Sequence, residues 1–409
     1  MGGDLSDRRP EREEGEPPSP GGLIALSRRI LWRLRRQGGG WLIRRAIQEV
    51  QDPLTAPGRV LNRVLRAAVS WSPWRRGRSS GADCLLAVWD TLAEPVTFDI
   101  LFFLLAAEIQ RRKLGLKGIH FMVVAASAEE ERVHAADYEA VISAAARRDR
   151  LINMLLPAGQ LLPSVQDMEL LADRSEAQRR VLGWVSRHVF PENYSTNFRR
   201  SVSQDCYRLV NSQADTATAA LRASPASRAY VEKWLEARGA GKRAVSLTLR
   251  SYGYNPARNS NLSIWFRFAG WLQERGYVPV FIPDSDSLAE APLDVPPGAL
   301  VMTEAAWNLG LRMALYECTY LNLSVSSGPA FLFLLNETAR GVMAKMLTPG
   351  VSQNEPAFLH NLGFVVGGQL PFCTPLQRCS WEPETFDSLV QEFLDMERLI
   401  EASANGGRR

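Results

Sequence analysis

The run Ala244-Val-Ser-Leu-Thr-Leu-Arg250 empties into the polar segment Ser251-Tyr-Gly-Tyr-Asn-Pro-Ala-Arg-Asn-Ser-Asn261, and further on Leu321-Asn-Leu-Ser-Val325 enters Ser326-Ser327-Gly328-Pro329. Between them lie a second β-like run, Tyr277 to Ile282, and a helix-spaced segment, Thr303 to Glu317. Strands alternating with helices predict a parallel sheet. Such sheets receive ligands beyond the carboxyl ends of their strands. Arg250 stands at one such end, where a guanidinium can fork onto a diphosphate. Arg258 and Asn259 open the next helix, whose free N–H groups favour an anion. Ser326, Ser327 and Gly328 offer two hydroxyls and a close backbone approach, with Pro329 suited to a first helical turn. Glu304, Asn308, Arg312 and Tyr316 recur at i, i+4, so one helix face would carry Glu304 toward a sugar hydroxyl. The bland counterparts are an Arg250–Asp284 pair, an ordinary serine-capped turn at 326–329, and Glu304 and Glu317 paired with Arg312. The candidate binding residues are therefore Arg250, Arg258, Asn259, Glu304, Asn308, Ser326, Ser327 and Gly328, and the expected ligand is of nucleotide type.

Upstream, Cys84 to Trp89 has the pattern of a buried strand, Phe98 to Lys113 of a helix and Ile119 to Ala125 of a second strand, which together make a βαβ unit. The loop Asp90-Thr-Leu-Ala-Glu94 holds two carboxylates able to deprotonate a hydroxyl. Asp90 and Glu94 are the candidate bases, and Asp99, inside the helix, is a weaker one. Tyr138 to Arg150 and Ser175 to His188 read as helices, Leu151 to Leu156 as a third strand. Downstream, Gly341 to Leu347 reads as a strand, Gly363 to Gly368 as a weaker one, and Pro383 to Glu401 as an amphipathic helix. The organisation expected is a tail over 1–20, a basic helical extension over 21–80, Rossmann-like domains over 83–225 and 242–380, and a C-terminal helix over 383–402.

With 409 residues, 46% hydrophobic and 22% charged, the chain has the composition of a soluble globular protein of more than one domain. The net charge of +4 hides an asymmetry. Residues 1–20 hold six acids against three arginines, while residues 21–80 hold thirteen arginines against Glu49 and Asp52. Basic helices bearing Trp32, Trp41, Trp71 and Trp74 suit an anionic membrane surface. The alternative is packing on the protein body, and no nucleic-acid module is recognisable. No apolar run is long enough to span a bilayer and no signal-peptide pattern is visible, so the expected location is the cytoplasm or the inner membrane face. The five cysteines are scattered, and Cys373 and Cys379 fit no common zinc spacing. The histidines form no HxxxH pair, so no metal is expected. Asp284-Ser-Asp286 has a metal-binding spelling but reads as acids capping a turn. P-loop, G-x-G-x-x-G and G-x-S-x-G motifs are all missing.

Two βαβ-rich halves around a cleft resemble the GT-B glycosyltransferases. The second half is the more specific match. Leu247-Thr-Leu-Arg250, Arg258-Asn259-Ser260, Pro283-Asp284, Asn308 with Arg312 to Glu317, and Ser326 to Pro329 resemble glycosyltransferases of bacterial surface-polysaccharide loci. They are distantly similar to fucosyltransferases and heptosyltransferases. The resemblance implies that Arg250 and Ser326–Gly328 hold the donor diphosphate and that a carboxylate after the first strand serves as base. It further implies that a nucleotide-diphosphate sugar is the substrate, with no cofactor or metal, and that the acceptor is a glycan or lipid-linked. The alternative is a catalytically silent scaffold that binds nucleotide or glycan at the membrane surface.

Overall fold

The computed structural model describes Val60 and residues 83–126, 143–192, 194–196, 201–213, 220–253, 255–285 and 293–406. The tail over 1–20 and, Val60 apart, the extension expected over 21–80 lie outside the described residues. The chain divides into Met1–Val69 and Ser70–Arg409, and everything that follows belongs to the second unit.

That unit contains two wholly parallel sheets. The first has strands β1 (Cys84–Asp90), β2 (Gly118–Val124), β3 (Val165–Leu171) and β4 (Val189–Phe190) in the order β3-β2-β1-β4. The second has β5 (Ala244–Thr248), β6 (Val278–Ile282), β7 (Leu300–Val301), β8 (Leu321–Val325), β9 (Gly341–Ala344) and β10 (Gln377–Cys379) in the order β10-β9-β8-β5-β6-β7. In both, the chain leaves a central strand toward one side and later returns to its other flank. Each sheet therefore has a switch point, β1/β4 in the first and β5/β8 in the second, where loops diverge and leave a crevice at the carboxyl edge. This is the architecture of two Rossmann-like sheets facing a cleft.

The central strands are covered on both faces, which is why β1, β2 and β6 are nearly all apolar, while the edge strand β3 is polar and partly exposed. On β1 the alternation sorts the side chains. Leu86 and Val88 join Ala177 and Val181 of helix α3 (Arg174–Gly183), while Leu85, Ala87 and Trp89 face helix α1 (Asp99–Lys113). Every residue of α1 from Ile100 to Glu108 is buried, so this helix is apolar around its whole circumference, as only a helix packed on all sides is. Its lone interior charge, Glu108, is satisfied by Arg111, Arg112 and Ser164. Phe102 of α1 stacks on Tyr207 of helix α4 (Ser203–Gln213) and packs edge-on against Phe331 and Phe372, so the two sheets share one hydrophobic core. The outer face of the second sheet is closed by helices α6 (Leu262–Glu274) and α8 (Phe386–Gly406) around Trp265, Phe268 and Phe393.

Some local expectations are corrected. Leu151–Leu155 is a helical turn of π type that continues α2 (Ala144–Arg150) into Leu156–Gln160, and the third strand lies later, at Val165–Leu171. An apolar run of six cannot be told from a buried helix by composition alone. Gly363–Gly368 is a turn with left-handed backbone at Gly363 and Gly367, and the last strand is Gln377–Cys379. The helix expected over 303–317 is broken at Asn308. A short turn, Glu304–Trp307, precedes α7 (Leu309–Cys318), whose N-cap is the Asn308 side chain. Helix α5 (Pro225–Glu236) packs beside α7 and leads into β5.

Candidate functional site

A cleft of about 1060 Å³ opens between the carboxyl edges of the two sheets. The second sheet contributes the residues that follow β5 and β8. Arg250 is buried, and its Nη1 donates to the Asn255 carbonyl at 3.2 Å and to the Asn259 side-chain oxygen. The same Asn259 oxygen accepts from the Tyr252 backbone N–H, and its amide donates to the Tyr252 carbonyl, so Asn259 folds the loop that aims Arg250. Burial pushes the Arg250 guanidinium below its usual value, opposed by the nearby Asp284 carboxylate. Asp284 accepts from the Ser251 N–H at 3.1 Å and also lines the cleft. Tyr252 lies between two cations, Arg250 at 5.6 Å and Arg150 of α2 at 5.0 Å from the ring centroid, which joins the two walls.

Arg258 reaches the β8 loop, where its Nη2 donates to the Ser326 carbonyl at 3.1 Å. The Ser326 hydroxyl accepts from Asn354 at 3.2 Å, and the Ser327 hydroxyl lies 3.3 Å from that of Ser324. Gly328 is required by packing, because a Cβ there would sit 2.7 Å from the Cβ of Phe98 in the loop after β1. Arg312 is buried and lines the cleft, and its Nε donates to the Ala305 carbonyl at 2.6 Å.

Thus Arg250, Arg258, Ser326, Ser327 and Gly328 are brought together on one wall, with Asn259 behind them as an organiser. Glu304 and Asn308 are not. Both are exposed and neither lines the cleft, because the break at Asn308 removes the helical face that would have carried them. Tyr316 is wholly buried against Thr248. Glu317 bonds Asn336 and the Ala223 N–H and lies 3.5 Å from Arg228, so it does not partner Arg312.

Neither Asp90 nor Glu94 reaches the cleft. Asp90 receives both terminal nitrogens of Arg174 at 2.8 and 2.7 Å, the Tyr194 hydroxyl at 2.9 Å and the Leu92 N–H at 3.0 Å. Glu94 is buried and accepts from the hydroxyls of Ser201 and Ser203 and from the Val202 N–H. Burial raises its pKa, against those hydrogen bonds. A carboxylate whose lone pairs are consumed inside the fold is a brace, and the correction follows from hydrogen-bond saturation that spacing does not reveal.

One carboxylate that does line the cleft from the first-sheet side is Asp99, in the first turn of α1. One of its oxygens accepts from Thr97 Oγ1 at 2.8 Å and the other from the Tyr207 hydroxyl at 2.9 Å. Burial raises its pKa above the ordinary 3.8, opposed by these two bonds. The Tyr207 phenol feels both Asp99 and the positive charge of Arg258, so a carboxylate and a guanidinium act on one ring. Asp149 and Asn153 of the α2 segment also line this wall. The signal for Asp99 in the sequence is a lone carboxylate directly ahead of eight apolar residues. Asp149, Asn153 and Tyr207 left no comparable signal, since the α2 segment and α4 are brought together only by packing.

Among the described residues, no three His, Cys, Asp or Glu side chains gather as a metal site would require, and no helix is long and apolar enough to cross a membrane.

The fold is α/β, with two Rossmann-like parallel sheets whose carboxyl edges border one cleft. No protein-family model and no curated protein matches the chain. Among solved structures it is similar to a glycosyl transferase family 9 protein from Veillonella parvula DSM 2008, with 11% identity over 79% of this chain and 96% of that one and a TM-score of 0.46. It is also similar to E. coli ADP-heptose lps heptosyltransferase II, with 10% identity over 78% and 99% and a TM-score of 0.44. A third similar structure is E. coli heptosyltransferase WaaC with ADP-2-deoxy-2-fluoro heptose, with 10% identity over 76% and 99% and a TM-score of 0.40. These likenesses are loose, so the chemistry has to be read from the cleft's own residues.

Proposed function

We propose that the protein is a glycosyltransferase that moves a sugar from a nucleotide-diphosphate donor to a hydroxyl of a glycan or lipid-linked acceptor. The observation that carries this reading is the polarity of the cleft. Arg250, Arg258 and Arg312 stand with Ser326–Gly328 on the second-sheet wall, and Asp99 stands on the opposite wall. The bond from the anomeric carbon to the donor diphosphate breaks as the acceptor oxygen bonds that carbon. The proton of the acceptor hydroxyl passes to Asp99, and the leaving diphosphate keeps the electron pair. Guanidiniums held in place before reaction stabilise that charge without reorganising. Asn259 and Asn354 act at one remove, by fixing Arg250 and Ser326.

Burial prepares Asp99 for its role, because a carboxylate with a raised pKa is a stronger base than one in water. The saturation of Asp90 and Glu94 is equally what a catalytically silent nucleotide-binding scaffold would show, and Asp99 separates the two readings. The test pairs nucleotide binding with turnover. Purified full-length protein is heated with UDP, GDP, ADP or CMP, and one diphosphate family is expected to raise the melting temperature by several degrees. Arg250→Ala should abolish that shift, while Asp99→Asn should keep the shift and lose turnover. No shift with any nucleotide would overturn the donor-site assignment, and full turnover in Asp99→Asn would remove the base.

A further inference from the structure

Trp307 is 45% exposed, yet it lies on the wall of the cleft. The other large apolar residues of the cleft are spent on packing. Phe331 packs against Phe102 and stacks parallel to Phe364, while Leu359 and Leu362 are buried in the shared core. Trp307 therefore offers the cleft an indole with much of its surface unused, an arrangement suited to a flat partner.

Its support is rigid. The turn Glu304–Trp307 begins just past β7, whose neighbour strand holds it through the Met302 N–H and the Phe281 carbonyl at 3.0 Å. The Ala306 N–H bonds the Thr303 carbonyl and the Asn308 N–H bonds the Glu304 carbonyl. Arg312 clamps the turn from within by donating to Ala305, and it faces the cleft itself. Because all six strands are parallel, Trp307 emerges at the same edge as Arg250 and Ser326. Strand β7 lies two places from β5, a separation of roughly 10 Å at the usual strand spacing. A ribose and its linkage fill such a gap between a phosphate and a ring.

We infer that Trp307 is the stacking platform for the nucleobase of the donor nucleotide, with Arg312 on the nucleoside side of the phosphate cradle formed by Arg250, Arg258 and Ser326–Gly328. This rests on the donor-site reading above. Indole stacking accepts any base, so Trp307 supplies affinity for the ring and leaves the choice among bases to neighbouring polar groups.

The experiment compares inorganic pyrophosphate with UDP, GDP and ADP on the full-length protein by calorimetry, in wild type, Trp307→Ala, Trp307→Phe and Arg250→Ala. Trp307→Ala should weaken the preferred nucleoside diphosphate roughly 5–150-fold, the range associated with losing one base-stacking aromatic. It should leave pyrophosphate within about twofold of wild type, since a ligand without a base has no stacking to lose. Trp307→Phe should recover most of the loss, and Arg250→Ala should weaken both ligands. Undiminished nucleoside diphosphate affinity in Trp307→Ala, or equal losses for both ligands, overturns the platform while leaving the phosphate cradle standing. If wild type binds neither ligand, the donor-site reading fails and the platform with it.

Discussion

The carboxyl edges of the two sheets are built alike and used differently. Each has a central strand whose loop carries polar residues to a switch point. After β1 those residues turn inward, with Asp90 locked to Arg174 and Tyr194, and Glu94 locked to Ser201, Val202 and Ser203. After β5 and β8 they stay on the surface of the cleft, with Arg250 aimed by Asn259 and Ser326 steadied by Asn354. The lesson is that a polar residue at a strand end marks where a site can be, while whether its side chain lines the cleft or turns into the fold decides whether it can belong to the site. On the first-sheet side a carboxylate that lines the cleft lies nine residues downstream of Asp90, at Asp99.

The contrast can be broken most forcefully at Asp99. Asp99→Asn should lower kcat by roughly 10²–10⁴-fold, the usual worth of a general base. Its effect on stability should run the other way. The folded-state pKa is raised, so the fold gains from the protonated carboxyl at low pH and loses that gain as pH rises through the folded pKa. At neutral pH the amide removes a disfavoured charge, so the melting temperature should hold or rise. The wild-type rate should fall as the pH drops through a value above 3.8, and a rate flat across that limb would sink the role of Asp99.

At Asp90 the same test should give the opposite pattern. Asp90→Ala removes the carboxylate that receives both terminal nitrogens of the half-buried Arg174 and should cost about 3–5 kcal/mol of stability, measured by denaturant unfolding. Turnover per folded molecule should change far less than it does in Asp99→Asn. Between the two edges stands Gly328. Gly328→Ala drives a Cβ toward Phe98 and should cost about 1–3 kcal/mol. Because that contact spans the cleft, donor affinity should fall as well, which titration of the nucleotide would show. The smallest effect belongs to Glu94→Gln. The amide oxygen can still accept from the Val202 N–H while the amide N–H donates to the rotatable Ser201 and Ser203 hydroxyls, and burial already disfavours the ionised carboxylate, so a loss of about 1 kcal/mol or less is expected. A loss of turnover comparable to that of Asp99→Asn would return the base to Glu94.

The parallel sheets were legible because their signal is local. Buried β runs end in Gly, Ser, Pro and Arg at the positions where the cleft loops begin, and the structure places Arg250, Arg258 and Ser326–Gly328 together on the cleft wall. The expectation for Glu304 and Asn308 failed at a single backbone feature, the Asn308 cap, which ends one helix and starts another. The strand expected at Leu151–Leu156 failed because a short apolar run fits either a helix or a strand. Asp149 and Asn153 come to the cleft from one helical segment and Tyr207 and Trp307 from two others, and the convergence of the three is a property of packing that no spacing in the chain encodes.

Helix α1 has a consequence for how the protein is made. It emerges from the ribosome as an apolar segment whose partners include Phe331 and Phe372, residues translated long afterward. The first sheet cannot complete its shelter early and wait for the second, as independent domains do during synthesis. Until those residues emerge, the part of Ile100–Ala107 that β1 and α4 do not cover stays open, which makes it a natural target for a holding chaperone. It also makes the last third of the chain the step that commits the whole molecule to folding.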